Sequence, residues 1–368
     1  MQHKPETLSR LASFAEVDTP ALLLDAVALE ANIRRMADFF AHRPCRLRPH
    51  FKSHKCTAIA RLLMEAGAVG ITCAKLGEAE VVADAGIRDI LIANQIVGAV
   101  KIRRLMELCA RANVMVAVDS ADNVDMLSAA AAAARVRLGV LVEVDVGMHR
   151  CGVAPGQAAL ELARLMAAAP GLKFEGLQGY EGHCVDLRDT TEREAKTRQA
   201  LKLLVDTRWL IERAGLKVNS VSGGGTGTYT ITGDCDGVNE LQTGSYAAMD
   251  WWYSDIRPEF QQAMSILATV ISRPSPEWVV IDVGRKGIGA EWGPPRVKNV
   301  PGATVASYSS EEHLKITVPA DSKLRIGDRL EIIPSHGCTT SNLYSEFVVH
   351  KEGCVTTRWP IEGQGKLQ

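Results

Sequence analysis

The chain has 368 residues, of which 46% are hydrophobic and 23% are charged, and this composition is typical of a globular protein with room for more than one domain. Its formal net charge of −1 argues against nucleic acid or an anionic membrane surface as a partner. The sequence shows no export leader and no apolar stretch of bilayer length, and its nine cysteines include no CxxC pair, so we expect a cytoplasmic protein with reduced thiols.

From about residue 25 to residue 250, short apolar segments alternate with helical segments. Helices are predicted at 26–42, 76–86, 98–112 and 191–214. The predicted strands are 47–51, 70–74, 89–94, 114–119, 139–145, 174–180 and 218–224. Continuous apolar strands separated by helices predict a parallel sheet that is covered on both faces.

Seven or eight such units fit a closed (β/α)8 TIM-type barrel, which takes about 250 residues. An open doubly wound sheet is the alternative, but the GxGxxG turn that would favour it does not follow the first strand. Beyond residue 250, strands with turns and little helical spacing predict a smaller antiparallel β domain. We therefore predict a barrel domain at 26–255 and a β domain formed by 1–25 and 256–368. On pattern alone, the early strand at 18–25 could join either part.

The segment RLRPHFKSHK, residues 46–55, concentrates basic side chains around the first predicted barrel strand. Lys52 would lie at the carboxyl end of that strand, where a barrel builds its active site. Burial and neighbouring cations lower the pKa of a lysine, and the free amine is a nucleophile for carbonyl groups. The alternative is a solvated turn, so this segment by itself only suggests a lysine that forms a Schiff base.

The segment SVSGGGTGTY, residues 220–229, surrounds Thr226 with glycines directly after an apolar strand. Backbone amides in such a loop can converge on an anion because no Cβ obstructs them. A flexible turn is the alternative, but the late loops of a barrel commonly bind phosphate. Gly244, Ser245 and Tyr246 follow the next predicted strand and could extend the same site. The sequence has no GxxxxGKS/T motif, which argues against a nucleoside triphosphate.

An early lysine and a late phosphate loop at one barrel mouth describe a site for pyridoxal 5′-phosphate (PLP). The segments VDTPALLLD, RPHFKSHK, GITCAKLGEAE, DILIANQIVG, VEVDVGMHRCGV, SGGGTGTY, ELQTGSYAAMD and PSHGCTTSNLY occur in this order and together resemble the D-threonine aldolase family. That family is similar to the D-serine dehydratases and shares the alanine-racemase type of PLP fold. The resemblance runs from about Val17 to the end of the sequence.

The resemblance implies a role for each residue at the PLP site. It makes Lys52, rather than Lys55, the Schiff-base lysine. It places Arg150 and Tyr180 beside the pyridine ring, although Arg150 taken alone could be a surface arginine. The residues that it assigns to the phosphate are Gly224, Gly225, Thr226, Ser245 and Tyr246.

The segment PSHGCTTSNLY carries a candidate metal site at His336 and Cys338. In an extended chain, residues i and i+2 point to the same side, so the two side chains could share one ion, although an isolated HxC pair is more often structural. The resemblance implies a divalent metal at this motif. Aldolase members typically have His-x-Asp there and several dehydratase relatives have His-x-Cys, so the cysteine leaves the reaction open. A thiolate favours zinc over manganese or magnesium.

The segment GYEGHCVDL departs from the family pattern. Aldolase relatives carry a histidine near the metal a few residues beyond the tyrosine. Here the nearest candidate, His183, is offset, and Asp186 lies farther along the chain. His183 could be a third metal ligand, a base for a β-hydroxyl group or a pocket histidine.

These features predict a lyase that depends on PLP and a divalent metal and acts on a small β-hydroxy-D-amino acid. Retro-aldol cleavage to glycine and an aldehyde is the first hypothesis. Dehydration of D-serine or D-3-hydroxyaspartate to a keto acid and ammonia is the alternative. A non-catalytic PLP carrier would lack the β domain and the metal motif, and a racemase would need a second base such as Tyr344. The alanine-racemase type of fold also implies a homodimer.

Overall fold

Two sheets organise the described residues, 12–298 and 300–368, of the computed structural model. The strands, in chain order, are β1 (Ala12–Ser13), β2 (Ala21–Asp25), β3 (Arg46–Leu47), β4 (Ile71–Cys73), β5 (Asp89–Ile92), β6 (Asn113–Val118), β7 (Leu138–Glu143), β8 (Leu172–Gln178), β9 (Ser220–Gly223), β10 (Glu240–Leu241), β11 (Met264–Ser275), β12 (Trp278–Ile281), β13 (Arg296–Lys298), β14 (Thr304–Ser307), β15 (Leu314–Thr317), β16 (Arg329–Ile333), β17 (Glu346–Lys351) and β18 (Cys354–Pro360). The α-helices are α1 (Ala26–Phe40), α2 (Thr57–Glu65), α3 (Leu76–Asp84), α4 (Ala99–Cys109), α5 (Ala121–Ala134), α6 (Gln157–Ala168), α7 (Thr190–Arg213), α8 (Tyr229–Gly233), α9 (Trp251–Ile256) and α10 (Gly337–Ser341). Short 3-10 helices span Phe14–Glu16 and Phe51–Ser53. None of the helices in this described part of the chain has the length and apolar character needed to cross a bilayer.

The contacts between residues divide the chain into two compact units. Among the described residues, the barrel unit comprises 33–246 and 365–368, and the β unit comprises 12–32 and 247–364. The predicted assignment of PLP to a domain at 26–255, and of the metal motif to a domain at 1–25 and 256–368, stays a prediction. Residues 1–11 and Asn299, which that assignment includes, lie outside the described residues.

A sheet of eight parallel strands forms the barrel unit, in the order β3-β10-β9-β8-β7-β6-β5-β4. A parallel bridge between His50 and Thr72 closes the ring, and the Thr72 amide donates to the Pro49 carbonyl oxygen at 2.9 Å. Strands β5, β6 and β7 are buried on both faces because their side chains are almost all apolar. Helices α2 to α7 each connect one strand to the next. The predicted (β/α)8 barrel is confirmed.

The first barrel strand is shorter than predicted. Regular pairing ends at Leu47, and a 3-10 helix begins at Phe51. Between them the chain still follows its neighbour, since the Arg48 amide donates to the Leu241 carbonyl oxygen at 2.8 Å. Pro49 has no N–H to give to a ladder, which explains why the regular strand stops. Lys52 therefore lies in a helical turn beyond the strand end.

The β unit contains the other sheet, in the order β1-β18-β17-β2-β11-β12-β15-β14, with β13 paired to β16 and β16 paired to β11. Strand β2 runs antiparallel to β11 and parallel to β17, so the early segment 18–25 belongs to the β unit. Its apolar side chains Leu22, Leu23 and Leu24 are buried. The other described pairings in this sheet are antiparallel, and the predicted smaller antiparallel β domain is confirmed.

Candidate active site

The two lysines of segment 46–55 have different surroundings in the barrel unit. Lys52 is half-buried and follows the fully buried Phe51 in the 3-10 helix. Lys55 is buried, and its Nζ lies 2.6 Å from Oε1 of Glu78, which is also buried. Because Lys55 is held in this internal ion pair, the structure favours Lys52 over Lys55 as the residue that meets a cofactor. The role of Lys52 itself stays a prediction.

Removal of the Glu78 carboxylate should destabilise the protein strongly. Glu78→Gln leaves the Lys55 ammonium buried without its counter-ion, and breaking a buried pair in this way costs about 3–5 kcal/mol of unfolding free energy. Urea unfolding measures the change. Glu192→Gln is the matched control because it removes an exposed pair with Lys196 at 2.7 Å, and it should leave the free energy of unfolding nearly unchanged. Equal losses in the two variants would contradict the assignment.

The two histidines of the same segment are uncharged near neutral pH. Burial, followed by nearby cations that include Lys52 and Arg150, lowers the pKa of His50 well below its ordinary value. Burial lowers the pKa of His54 to about 3, and its Nδ1 accepts a hydrogen bond from the Cys56 amide at 3.2 Å. The segment therefore carries less positive charge than its sequence suggests, and it is not a solvated basic turn.

A chain of hydrogen-bonded polar side chains crosses the barrel interior, and we did not predict it. It begins at Arg48, whose Nε lies 2.8 Å from Glu240 Oε2, and it ends at Glu143, whose pKa is raised to about 7 by burial. Polar residues inside otherwise apolar strand segments were the available signal in the sequence. The members, in order, are Arg48, Glu240, Ser222, Gln242, Gln178 and Glu143.

The loop at residues 223–228, called the glycine loop below, follows β9 and packs too closely to admit side chains. A Cβ at Gly227 would lie 1.6 Å from the Val185 carbonyl oxygen. Gly224 has a φ of +80°, a conformation that favours glycine, and a Cβ there would lie 2.4 Å from Leu241 Cδ1. The glycines are therefore required by the shape of the loop.

Two predicted phosphate donors, the Gly224 and Gly225 amides, already have partners within the protein. The Gly224 amide donates to Glu181 Oε2 at 3.1 Å, and the Gly225 amide donates to Thr228 Oγ1 at 3.2 Å. In this structure, the two amides help to shape the loop. The roles that we predict for both residues in phosphate binding stay predictions.

Thr226 joins the glycine loop to the segment that follows β10. Its Oγ1 lies 2.7 Å from Thr243 Oγ1 and accepts a hydrogen bond from the Tyr246 amide at 3.2 Å. Tyr246 is fully buried, which raises the pKa of its phenol, and the preceding Ser245 is half-buried. Hydroxyl and amide groups from two successive strands thus meet at one edge of the barrel. Such a donor set fits a phosphate group.

The segment that carries Lys52 packs directly on this second loop. A Cβ at Gly244 would lie 2.6 Å from the His50 carbonyl oxygen and 2.7 Å from Ser53 Oγ. The absence of a side chain at Gly244 therefore lets the two segments touch. The structure brings the predicted lysine segment and the predicted phosphate segment together.

Arg150 and Tyr180 also lie together in the barrel unit. The Arg150 guanidinium carbon is 5.5 Å from the centroid of the Tyr180 ring, an arrangement typical of a cation–π contact. A Cβ at Gly225 would lie 3.5 Å from the Tyr180 hydroxyl, so this tyrosine reaches the glycine loop. The predicted neighbours of the pyridine ring and the predicted phosphate loop are therefore close in space.

His183 lies in the loop after β8. Its Cε1 and Nε2 are each 3.4 Å from the position of a Cβ at Gly147, in the loop that leads to Arg150. Its Nδ1 is buried and has no hydrogen-bond partner among the described residues. Such a nitrogen could serve a substrate hydroxyl group. The assignment of His183 as a base or a metal ligand stays a prediction.

His336 and Cys338 lie in the β unit, but the extended geometry predicted for them is wrong. His336 is the N-cap residue of the short helix α10, and Cys338 lies in its first turn. Asp250 Oδ2 accepts the Gly337 amide at 2.8 Å, and this interaction satisfies a helix-terminal N–H group. The first helical residue, Gly337, separates the two, so the alternation of a strand does not apply to them.

Two neighbours hold the His336 imidazole. The ring stacks on Trp292 with centroids 4.1 Å apart, and Nδ1 lies 3.5 Å from Glu291 Oε2. The carboxylate lies within ion-pair distance of the ring, and the stacking on Trp292 restricts the plane of the ring. No group of three or more His, Cys, Asp or Glu side chains in the described ranges is arranged to hold a metal. His336 and Cys338 suit zinc in donor type, but they supply one ligand fewer than the usual three of catalytic zinc.

Two protein-family models match the chain. Residues 24–250 match the N-terminal domain of alanine racemase, and residues 263–350 match a serine dehydratase domain. The first match alone covers more than half of the chain.

Curated relatives match almost the full length of the chain. A D-threonine aldolase from Arthrobacter sp. is 38% identical over 95% of this chain and 94% of the relative. A 3-hydroxy-D-aspartate aldolase from Paracoccus denitrificans (strain Pd 1222) is 37% identical over 96% of this chain and 93% of the relative. A D-threo-3-hydroxyaspartate dehydratase from Delftia sp. (strain HT23) is 28% identical over 94% and 98% of the respective chains.

A solved structure agrees with these relatives. The crystal structure of D-threonine aldolase from Filomicrobium marinum matches with a TM-score of 0.94 and 40% sequence identity. The match covers 98% of this chain and 100% of the solved chain.

Proposed function

Because the chain belongs to the D-threonine aldolase and D-serine dehydratase-like family, with an alanine-racemase-type barrel, we propose that it is a PLP-dependent lyase that cleaves a β-hydroxy-D-amino acid into glycine and an aldehyde. One observation carries the proposal. The segment of Lys52 packs at Gly244 on the loop whose Tyr246 amide donates to Thr226, so a candidate nucleophile and a phosphate-type donor set share one edge of the barrel.

The residues of the barrel unit fit PLP. Thr226, Ser245 and Tyr246 would hold the phosphate, together with Gly224 and Gly225, and Arg150 and Tyr180 would border the ring. When bound, PLP accepts the electrons of the substrate bond that breaks. Lys52 Nζ would bind the carbonyl group of the cofactor and would then be placed to hold a proton near the substrate.

The choice between cleavage and dehydration depends on which proton the chain removes. Cleavage of the Cα–Cβ bond needs a base for the β-hydroxyl proton, and the buried Nδ1 of His183 is a candidate. Dehydration needs Lys52 Nζ to remove the Cα proton. The greater identity to the two aldolases than to the dehydratase supports cleavage.

We assign the divalent metal to His336 and Cys338, with zinc preferred over manganese or magnesium because of the thiol ligand. Such an ion would supply a Lewis acid. Glu291 and Trp292 would keep the His336 ring in a fixed orientation, which lowers the entropic cost of binding an ion with few protein ligands.

A substrate panel tests the reaction. D-threonine, D-3-hydroxyaspartate and D-phenylserine should each give glycine and the matching aldehyde in equal amounts, whereas D-serine should give little pyruvate. Glycine, aldehyde, keto acid and ammonia are measured separately. Keto acid and ammonia from D-3-hydroxyaspartate, without glycine, would replace this proposal by the dehydratase alternative.

The structure disfavours a racemase. Tyr344, the tyrosine that such a reaction would use as its second base, donates its hydroxyl hydrogen to the Gly287 carbonyl oxygen at 2.9 Å. Burial, with Asp282 nearby, raises the pKa of this phenol. A phenol that is so difficult to ionise is a poor base near neutral pH.

We further propose a cytoplasmic homodimer without a nucleic-acid or membrane partner. The basis is the alanine-racemase-type fold, which we expect to assemble with C2 symmetry. Light scattering should give twice the mass of one chain across the concentrations used for assays. A fully active monomer would contradict the dimer and would leave the lyase proposal intact.

A further inference from the structure

Glu181 is a fully buried carboxylate in the barrel unit, next to the glycine loop. Its Oε1 accepts hydrogen bonds from Thr228 Oγ1 at 2.8 Å and from Thr232 Oγ1 at 2.5 Å. Its Oε2 accepts the Gly224 amide at 3.1 Å. Within the described ranges, no lysine, arginine or histidine forms an ion pair with it. Three hydrogen bonds from one short segment therefore satisfy this carboxylate.

The burial of the Glu181 carboxylate costs free energy, and the ordering of the glycine loop is the benefit that could offset this cost. Burial of a carboxylate without a cation costs several kcal/mol before hydrogen bonds compensate for it. A glycine-rich segment has more conformational freedom to lose on ordering than any other kind of segment. Glu181 accepts hydrogen bonds from Gly224 and Thr228, near the two ends of the glycine loop, and from Thr232 in helix α8. One side chain thus fixes a segment that its own sequence leaves flexible.

Direct contact of Glu181 with a phosphate is excluded by charge, because two anions repel each other strongly in a site of low dielectric constant. The Gly224 amide and the Thr228 hydroxyl donate hydrogen bonds to Glu181. Thr226 lies between them and joins the loop to Thr243 and Tyr246. The charge of Glu181 by itself disfavours a nearby anion, so a favourable effect of Glu181 on phosphate binding must act through the shape of the loop.

We propose that Glu181 is a positioning residue that holds the glycine loop in the shape that receives the phosphate group of PLP. This inference rests on the proposed function, specifically on PLP binding in the barrel unit. The hydrogen bonds of the Glu181 side chain all go to the glycine loop and helix α8, so we expect its effect to be confined to ligands that carry a phosphate.

The test compares PLP with pyridoxal, which lacks the phosphate. Glu181→Gln keeps one acceptor oxygen and places an NH2 group at the other position. That group meets another donor if it faces the Gly224 amide, and it forces the hydroxyls to accept if it faces Thr228 and Thr232, so the charge-assisted hydrogen bonds are lost in either orientation. The dissociation constant of PLP should rise at least about tenfold in this variant, whereas that of pyridoxal should change less than about twofold. In the protein without PLP, the amides of the glycine loop should exchange hydrogen faster.

A second variant keeps the test valid if Glu181→Gln does not fold. Thr232→Val removes one donor from outside the loop and leaves the carboxylate in place, and it should weaken PLP about threefold with little effect on pyridoxal. Thr207→Val is the matched control because Thr207 is also a buried threonine, hydrogen-bonded to the Leu203 carbonyl oxygen at 2.7 Å in helix α7. It should leave the affinities for both ligands unchanged.

Two results would overturn the inference. Equal loss of PLP and pyridoxal affinity in both the Glu181 and Thr232 variants would show that Glu181 supports the whole barrel. Unchanged PLP affinity in both variants would show that the loop keeps its shape without it. Failure of the unmodified protein to bind PLP is a separate outcome, since it would remove the proposed function first and the role of Glu181 with it.

Discussion

Lys52→Ala should lower the rate of substrate cleavage by at least about 10,000-fold, because it removes the amine that we expect to form a covalent bond with the cofactor. Lys55 cannot replace it, since Lys55 Nζ is held 2.6 Å from the buried Glu78 carboxylate. The Lys52 side chain is half-buried, so its truncation creates no large cavity and the variant should fold normally. PLP affinity should fall only in part, because the phosphate loops remain.

Borohydride reduction followed by peptide mapping identifies the lysine directly. The label should appear on Lys52 in the unmodified protein. Lys217→Ala is the control, because Lys217 is exposed in the same unit, and it should keep both the full rate and the label at Lys52. Label on Lys55 or Lys75 instead would refute the assignment.

Removal of the metal is expected to have the second large effect. Chelation should reduce activity at least about 100-fold, because the Lewis acid is lost. The absorbance of bound PLP should persist, because the residues assigned to the cofactor lie in the barrel unit and His336 and Cys338 lie in the β unit. Activity, PLP absorbance and metal content are measured on the same sample. Full activity with metal content near zero would make the pair structural and the metal assignment wrong.

The thiol should set the metal preference. Cys338→Asp replaces the sulfur ligand by oxygen, so the chelated variant should recover better with manganese than the unmodified protein does. Cys354→Asp makes the same substitution at an exposed cysteine of the β unit and should leave the order of preference unchanged. An unaltered preference for zinc in Cys338→Asp would show that residue 338 is not a ligand.

The fold could be predicted largely from the sequence because a buried parallel strand reads as a continuous apolar run. The predicted strand at 139–145 and the observed β7 at Leu138–Glu143 nearly coincide for this reason. The first barrel strand was overextended because the pattern around Pro49 gives no information on where hydrogen bonding stops. The sequence pattern did not decide which domain contains β2, because the pairing of a strand with distant segments cannot be read from the residues of that strand alone.

The candidate site could be predicted less well. The residue types indicated Lys52, Thr226 and His336 as candidates. The contacts that decide the chemistry of these candidates and of their neighbours join segments that lie apart in the sequence. The ion pair of Lys55 with Glu78 is one example, and the stacking of Trp292 on His336 is another. The extended geometry of the HxC pair was wrong because a helix begins at Gly337, whose amide donates to Asp250, a residue distant in the sequence. Glu181 was missed because a carboxylate beside a predicted phosphate loop is unfavourable by charge. The three donors that compensate for its burial cannot be identified from the sequence.

The pairing of β2 has a consequence for the order in which a ribosome makes this protein. Leu22, Leu23 and Leu24 emerge early, but their partners in β11 and β17 are made only after the last barrel strand. At a synthesis rate of about 5–20 residues per second, on the order of tens of seconds pass between the synthesis of β2 and that of its neighbouring strands. All eight barrel strands are complete before β11 appears, so the barrel sheet can close while β2 is still unmatched. The nascent chain thus carries an exposed aggregation-prone segment, and we expect chaperone contacts during synthesis to concentrate there.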